Sequence, residues 1–161
     1  MTATYEMIQK NTLTSTQSSV TFNSISSAYT DLVIVINGAM NSGENSLGMR
    51  FNGDTGSNYG TTAFYGDGVS TASFRFTSLD RLYVGRASVT GNSTSIIDIQ
   101  NYKNTSVYKT VLSKGSSPSI NMATVGLWMS TAAINSIYIS DFGTNSFIAG
   151  TTFTIYGIKA E

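Results

Sequence analysis

Apolar and β-branched residues recur at every second position over short windows along most of this chain, and no window keeps the 3.6-residue period of a helix. Side chains two apart share one face of an extended strand, so the pattern buries one face and leaves the other polar. The closing segment shows it most plainly. Phe153 and Ile155, with the short Gly157, fall on one phase, and Thr152, Thr154, Tyr156 and Ile158 fall on the other. Phe74 and Phe76 also share a phase. A chain patterned this way covers its apolar faces by packing sheet on sheet.

Strands are expected over 5–13, 20–25, 31–38, 47–51, 73–77, 81–85, 95–101, 107–112, 120–129, 134–140 and 151–158. About ten strands at this spacing predict an all-β, jelly-roll-like sandwich, with a closed barrel as the second choice. Two windows carry extra detail. The apolar positions Val20, Phe22 and Ile25 slip by one residue, which places a bulge or a strand end near Asn23 and Ser24. Residues 31–38 are apolar on both phases, as suits a central strand covered on both faces. The glycine-rich stretch 52–60, running on to 66–68, reads as the longest loop, and Pro118, the only proline, marks a second. No repeat, charge block or shift in composition divides residues 1–161, so a single domain is expected.

Composition then limits the chemistry. The 161 residues contain no cysteine and no histidine, which removes disulfides, thiolate nucleophiles, Cys-based zinc sites and the commonest general base. Charged residues are 11% of the chain, and nine basic residues balance nine acidic ones, so attraction to nucleic acid or to an anionic membrane has no support. A surface this poor in charge is weakly protected against association with other protein. The longest apolar run, around residues 32–36, is far shorter than the roughly 20 residues that span a bilayer. The opening Met1-Thr-Ala-Thr-Tyr-Glu6 has neither a basic region nor an apolar one, so no leader peptide is expected and synthesis is expected in the host cytoplasm.

Candidate sites are few. Oxygen side chains at Asn52, Asp54, Thr55, Ser57 and Asn58 suit a hard cation such as calcium, but the spacing is not that of an EF-hand and Asn-Gly and Thr-Gly are turn formers. Asp54 and Asp67 are conceivable paired carboxylates of a glycosidase, yet both stand in turn sequences. Gly53, Gly56 and Gly60 match no phosphate-binding fingerprint. No catalytic residue, metal or cofactor is assigned. Tyr59, Phe64, Tyr65, Tyr102 and Tyr108 offer flat faces to a partner protein or a sugar, or else pack on half-buried strands. Trp128, among apolar neighbours, is expected in the core with an internal acceptor for its indole N–H. Arg50, Arg75, Arg81 and Arg86 lie in or beside strands with no acidic cluster in sequence to receive them, which suits either a solvated face or a contact between subunits.

Several segments, in order, resemble a group of small tailed-phage proteins, many of them from cyanophages. They are Tyr5-Glu-Met-Ile8, Ser19-Val-Thr-Phe22, Tyr29-Thr-Asp-Leu32, residues 50–59, residues 128–134 and residues 150–158. The resemblance implies a β-sandwich virion structural protein without catalytic residues. Two positions in the particle follow from it: a capsid decoration (cement) protein, trimeric, bound across major capsid subunits on the virion surface, or a tail-fibre or receptor-binding module that recognises host glycan. The early first strand and late last strand leave no length for a fibre shaft, which favours decoration. A glycan-acting enzyme is a third reading, opposed by the missing histidine.

Overall fold

The computed structural model describes residues 4–89 and 93–159. The first three residues of the opening on which the leader reading rests lie outside them. Twelve strands are present, and no helix among the described residues. They are β1 (Tyr5–Thr12), β2 (Ser19–Phe22), β3 (Asp31–Gly38), β4 (Glu44–Phe51), β5 (Tyr59–Gly66), β6 (Thr71–Leu79), β7 (Leu82–Ser88), β8 (Ser93–Ile99), β9 (Lys109–Ser116), β10 (Asn121–Trp128), β11 (Ile137–Asp141) and β12 (Thr152–Ile158).

All pairings are antiparallel, in an eight-stranded sheet ordered β1-β12-β3-β8-β9-β10-β5-β6 and a four-stranded sheet ordered β2-β11-β4-β7. Within this arrangement β1-β12-β3-β8 opposite β2-β11-β4-β7 is the double Greek key of an eight-stranded jelly roll. The β9–β10 and β5–β6 hairpins are additions. Both extend the larger sheet beyond β8, giving twelve strands where about ten were expected.

The alternating positions meet between the sheets. Leu32, Ile34 and Ile36 of β3, Phe153 and Ile155 of β12, Leu47, Met49 and Phe51 of β4, and Ile137 and Ile139 of β11 are all buried there. β3 is central in its sheet, as its apolarity suggested, but its second phase is treated differently. Val33 is buried and Val35 half-buried on the sheet's outer side, so only the core phase faces the second sheet. The phase slip after Phe22 is a strand end, followed by Ser24 at φ 54°.

β5 corrects the loop reading of residues 52–68. Thr61, Thr62, Phe64 and Tyr65 have strong strand preferences, and Gly60 and Gly66 are tolerated because the strand is paired on both sides, by β10 and by β6. The loop proper is short. Asn52 Oδ1 accepts from Asn135 N (2.9 Å) and Ser136 N (3.2 Å), which ties the end of β4 to the approach to β11.

Small side chains let β7 lie close against the large sheet. Tyr83 N donates to Thr61 Oγ1 (3.3 Å), Thr124 Oγ1 donates to Tyr83 O (3.0 Å), and Ser88 N donates to Ser93 Oγ (3.1 Å). Hydroxyls of the large sheet thereby satisfy backbone groups of an edge strand that would otherwise be orphaned. Gly85, at φ 145°, has room for no side chain, since a Cβ there would collide with Ser95 Oγ. A Cβ on Gly126 would stand 3.0 Å from Leu82.

Candidate interaction surface

The four added strands build two surfaces. On the outer side of the large sheet, the pairing register aligns Ile96 of β8 with Lys114 of β9, Ala123 of β10, Phe64 of β5 and Ser73 of β6. The neighbouring row is Asp98, Leu112, Val125, Thr62 and Arg75. Leu112, Val125 and Leu127 are 41%, 46% and 39% exposed, and Phe64 is 57% exposed. Across these five strands only Asp98, Lys114 and Arg75 carry charge on that side. An open groove of about 820 Å³ runs beside Phe64, Ser73, Ile96, Lys114 and Ala123. Contiguous exposed apolar surface with a few charges around it is the composition of a binding face.

On its inner side, the end of the large sheet curls around β7. Phe74 shares the phase of its pairing partner Ala63, which is buried, yet the Phe74 and Phe76 rings meet Tyr83, whose neighbours Leu82 and Val84 point into the core. Tyr83 stacks on Phe142 with centroids 3.8 Å apart and the planes 12° from parallel. Arg81 stands 5.2 Å from the centroid of Phe142, and Arg50 stands 5.7 Å from that of Tyr138. The two guanidinium groups share one acceptor. Arg81 Nη2 lies 3.0 Å from Asp80 Oδ2, and Arg50 donates to the Asp80 carboxylate and, through Nε, to Asp80 O (2.9 Å). The hydrogen bond from Arg81 leads, with that from Arg50 beside it, in holding the Asp80 carboxyl below the ordinary carboxylate range against its partial burial.

Against the residues singled out in sequence, the outcome is mixed. Phe64 is exposed in the outer groove, Tyr65 is half-buried at the groove's end beside Phe74, and Arg75 is exposed on β6. Tyr108 is exposed just ahead of β9 and belongs to neither of the two five-strand rows. Arg50 is engaged within the chain, as are Arg81 with Asp80 and Arg86, whose Nε lies 3.5 Å from Glu44 Oε1. The fold brings acceptors to Arg50 and Arg86 from distant segments, and Arg81 pairs with the residue before it. Tyr59 and Tyr102 are core residues and offer nothing to a partner. Tyr59 accepts from Phe51 N (3.1 Å) and donates to Asp54 O (3.1 Å), and burial pushes its hydroxyl up to about 12. Tyr102 donates to Ser26 O, and burial raises it too.

The carboxylates proposed as catalytic or cation-binding candidates hold turns. Asp54 Oδ1 accepts from Gly56 N (2.8 Å), and Oδ2 accepts from Asn58 Nδ2 (3.0 Å) and from Trp128 Nε1 (2.7 Å). Burial pushes the Asp54 carboxyl up, but the bonds from Trp128, Gly56 and Asn58 outweigh it and leave the group below the ordinary range. Asp67 is likewise held low by Ser70 N and Val69 N. Neither is an acid poised to give a proton near neutral pH. Trp128 sits in the core, as its neighbours suggested, and Asp54 is the acceptor its indole needed.

Sequence reasoning passed over Ile96, Leu112, Lys114, Ala123, Val125 and Leu127. Their signal was present: in β10, Met122 and Trp128 fall on one phase while Ala123, Val125 and Leu127 make the other phase apolar as well.

No known protein family matches the sequence, and no curated protein does. Among solved structures, an exo-inulinase from Aspergillus awamori aligns over 96% of this chain at 13% identity with a TM-score of 0.44. The alginate lyase Aly36B aligns over 92% at 9% identity with a TM-score of 0.36. This chain spans 29% of the inulinase and 77% of the lyase. At such scores the alignments establish nothing about this chain's activity.

Proposed function

We propose that this chain is a non-enzymatic virion structural protein that decorates a phage capsid, docking through the outer face of β8, β9, β10 and β5 onto major capsid subunits. The observation that carries the reading is that face, where Phe64, Leu112, Val125 and Leu127 are exposed together with almost no charge among them. The resemblance of its segments to phage proteins supplies the partner. Binding to the assembled shell and not to free subunits stabilises the shell by mass action, by RT ln(1 + [L]/Kd) per site, or about 2.7 kcal/mol at a hundredfold excess over Kd. No chemical step is required.

Val125→Lys tests the reading. Val125 is half exposed, so the fold tolerates lysine, whereas a buried contact with a partner does not. Added to particles that lack the protein, the variant is expected to bind at least about tenfold more weakly than the parent. Thr21→Lys, on the exposed side of β2 in the other sheet, is expected to bind as the parent does. Undiminished binding by Val125→Lys, with loss in Thr21→Lys, moves the docking face to the other sheet. Binding of the parent to host cell-surface glycan and not to capsids favours the receptor-binding alternative.

A further inference from the structure

A sandwich has four free edges, and an edge left open pairs with another chain unless something blocks it. Three are blocked here. β2 is only four residues long. β7 is tied to the large sheet by the hydroxyls described above and overlaid by the Phe74 and Phe76 rings. β1 breaks register between Met7 and Gln9 and carries Glu6 and Lys10, with Glu6 paired to Lys159 at 2.7 Å. β6 has none of these defences. It is nine residues long, exposed at all positions except Phe74 and Leu79, free of proline, and charged only at Arg75. Its pairing with β5 is regular from Thr71 to Phe76 and shifts only beyond, where Ser78 takes φ 58°.

We propose that β6 pairs antiparallel with β6 of a second copy about a two-fold axis at Phe74, so that one sheet runs through both subunits. The sequence of the strand selects both the partner and the register. Side chains opposite one another must share a face, so the axis passes through a residue. An axis at Arg75 sets Arg75 against its own copy, and like charges directly opposed destabilise a strand pair. It also draws the irregular stretch of β6 around Ser78 into the ladder. An axis at Ser73 leaves Phe76, which is 45% exposed, beyond the paired residues. An axis at Phe74 keeps residues 72–76 within the regular stretch. Phe74 then faces Phe74, Ala72 faces Phe76, and Ser73 faces Arg75. The Phe74, Phe76, Tyr83 and Phe142 ladder becomes continuous with the partner's, and aromatic pairs across strands add to the backbone bonds. Such a contact is self-complementary and closes as a dimer, not as a ring of three.

The test uses charge at Ser73, which in this register faces Arg75 of the second copy twice. Sedimentation velocity over a dilution series is expected to show a dimer. Ser73→Lys is expected to raise its Kd by about tenfold and Ser73→Glu to lower it by a similar factor. Thermal melts of both variants at a dilution where the parent is monomeric check that each folds. Amides within residues 72–76 are expected to gain protection from hydrogen exchange on dimerisation in the parent. A parent that stays monomeric at every concentration overturns the proposal, as does a trimer indifferent to both charges. Equal weakening by lysine and glutamate overturns the register and places the axis at Ser73.

Discussion

Removal of the Asp54 carboxylate is the most informative single perturbation of the fold, because one side chain joins a surface turn to the core. Trp128 is 2% exposed and its Nε1–H points at Asp54 Oδ2, 2.7 Å away. In Asp54→Ala that donor is left buried without an acceptor, which costs about 1–3 kcal/mol. The bonds from Gly56 and Asn58 lie on the exposed side of the turn, where water replaces the carboxylate at small loss. The expected destabilisation is therefore about 2–3 kcal/mol, or a drop in Tm of roughly 5–10 °C for a chain of this length. Asp54→Asn keeps a carbonyl oxygen for the indole and is expected to lose only about 1 kcal/mol. Urea unfolding followed by fluorescence reads this directly, since Trp128 is the only tryptophan. An Asp54→Ala midpoint unchanged within error refutes the argument. Equal losses in both variants show that the charge, not the acceptor, matters.

Two further outcomes follow from the same structure. Asp54 and Asp80 both have carboxyls held below their ordinary range, so the unfolded chain binds protons at a pH where the native one refuses them. Their contribution is fully present above about pH 4 and is lost as pH falls through the native values, and with no histidine Tm is expected to stay flat from about pH 5 to 8. Melting curves at stepped pH check this, and Tm rising on acidification below about pH 4 contradicts it. Gly85→Ala puts a side chain at φ 145° against Ser95 Oγ and separates β7 from the large sheet, for an expected loss above about 2 kcal/mol by chemical denaturation. A neutral Gly85→Ala shows that β7 is free to shift.

The strands that alternate most strictly were legible without coordinates. β12 and β3 fall where their patterns put them, and the strand end after Phe22 is visible as a phase slip. β5 was hidden by Gly60 and Gly66, whose turn preference is overridden by pairing with two neighbours far away in sequence. The same limit governs the site. That Trp128 needed an acceptor follows from its neighbours, but that Asp54, 74 residues away, supplies it depends on β5 and β10 lying side by side. Arg50 seemed unpaired because Asp80 reaches it only once β4 and β7 are adjacent, whereas the acceptor of Arg81 is the residue before it in sequence. Tyr59 and Tyr102 stayed open between a partner-facing and a packed position until burial was known, because an amphipathic tyrosine suits either.

The reading of this chain as a shell-stabilising protein is tested most directly on particles from which it has been deleted, by measuring DNA release on heating alongside adsorption to host cells. The shell is expected to assemble, since a decoration layer adds to a lattice that already has its own contacts, and to adsorb normally while releasing DNA at a lower temperature. The many lost binding sites, each worth about 2.7 kcal/mol at a hundredfold excess over Kd, sum to a large change in the barrier to rupture. Unchanged heat stability together with abolished adsorption contradicts the account.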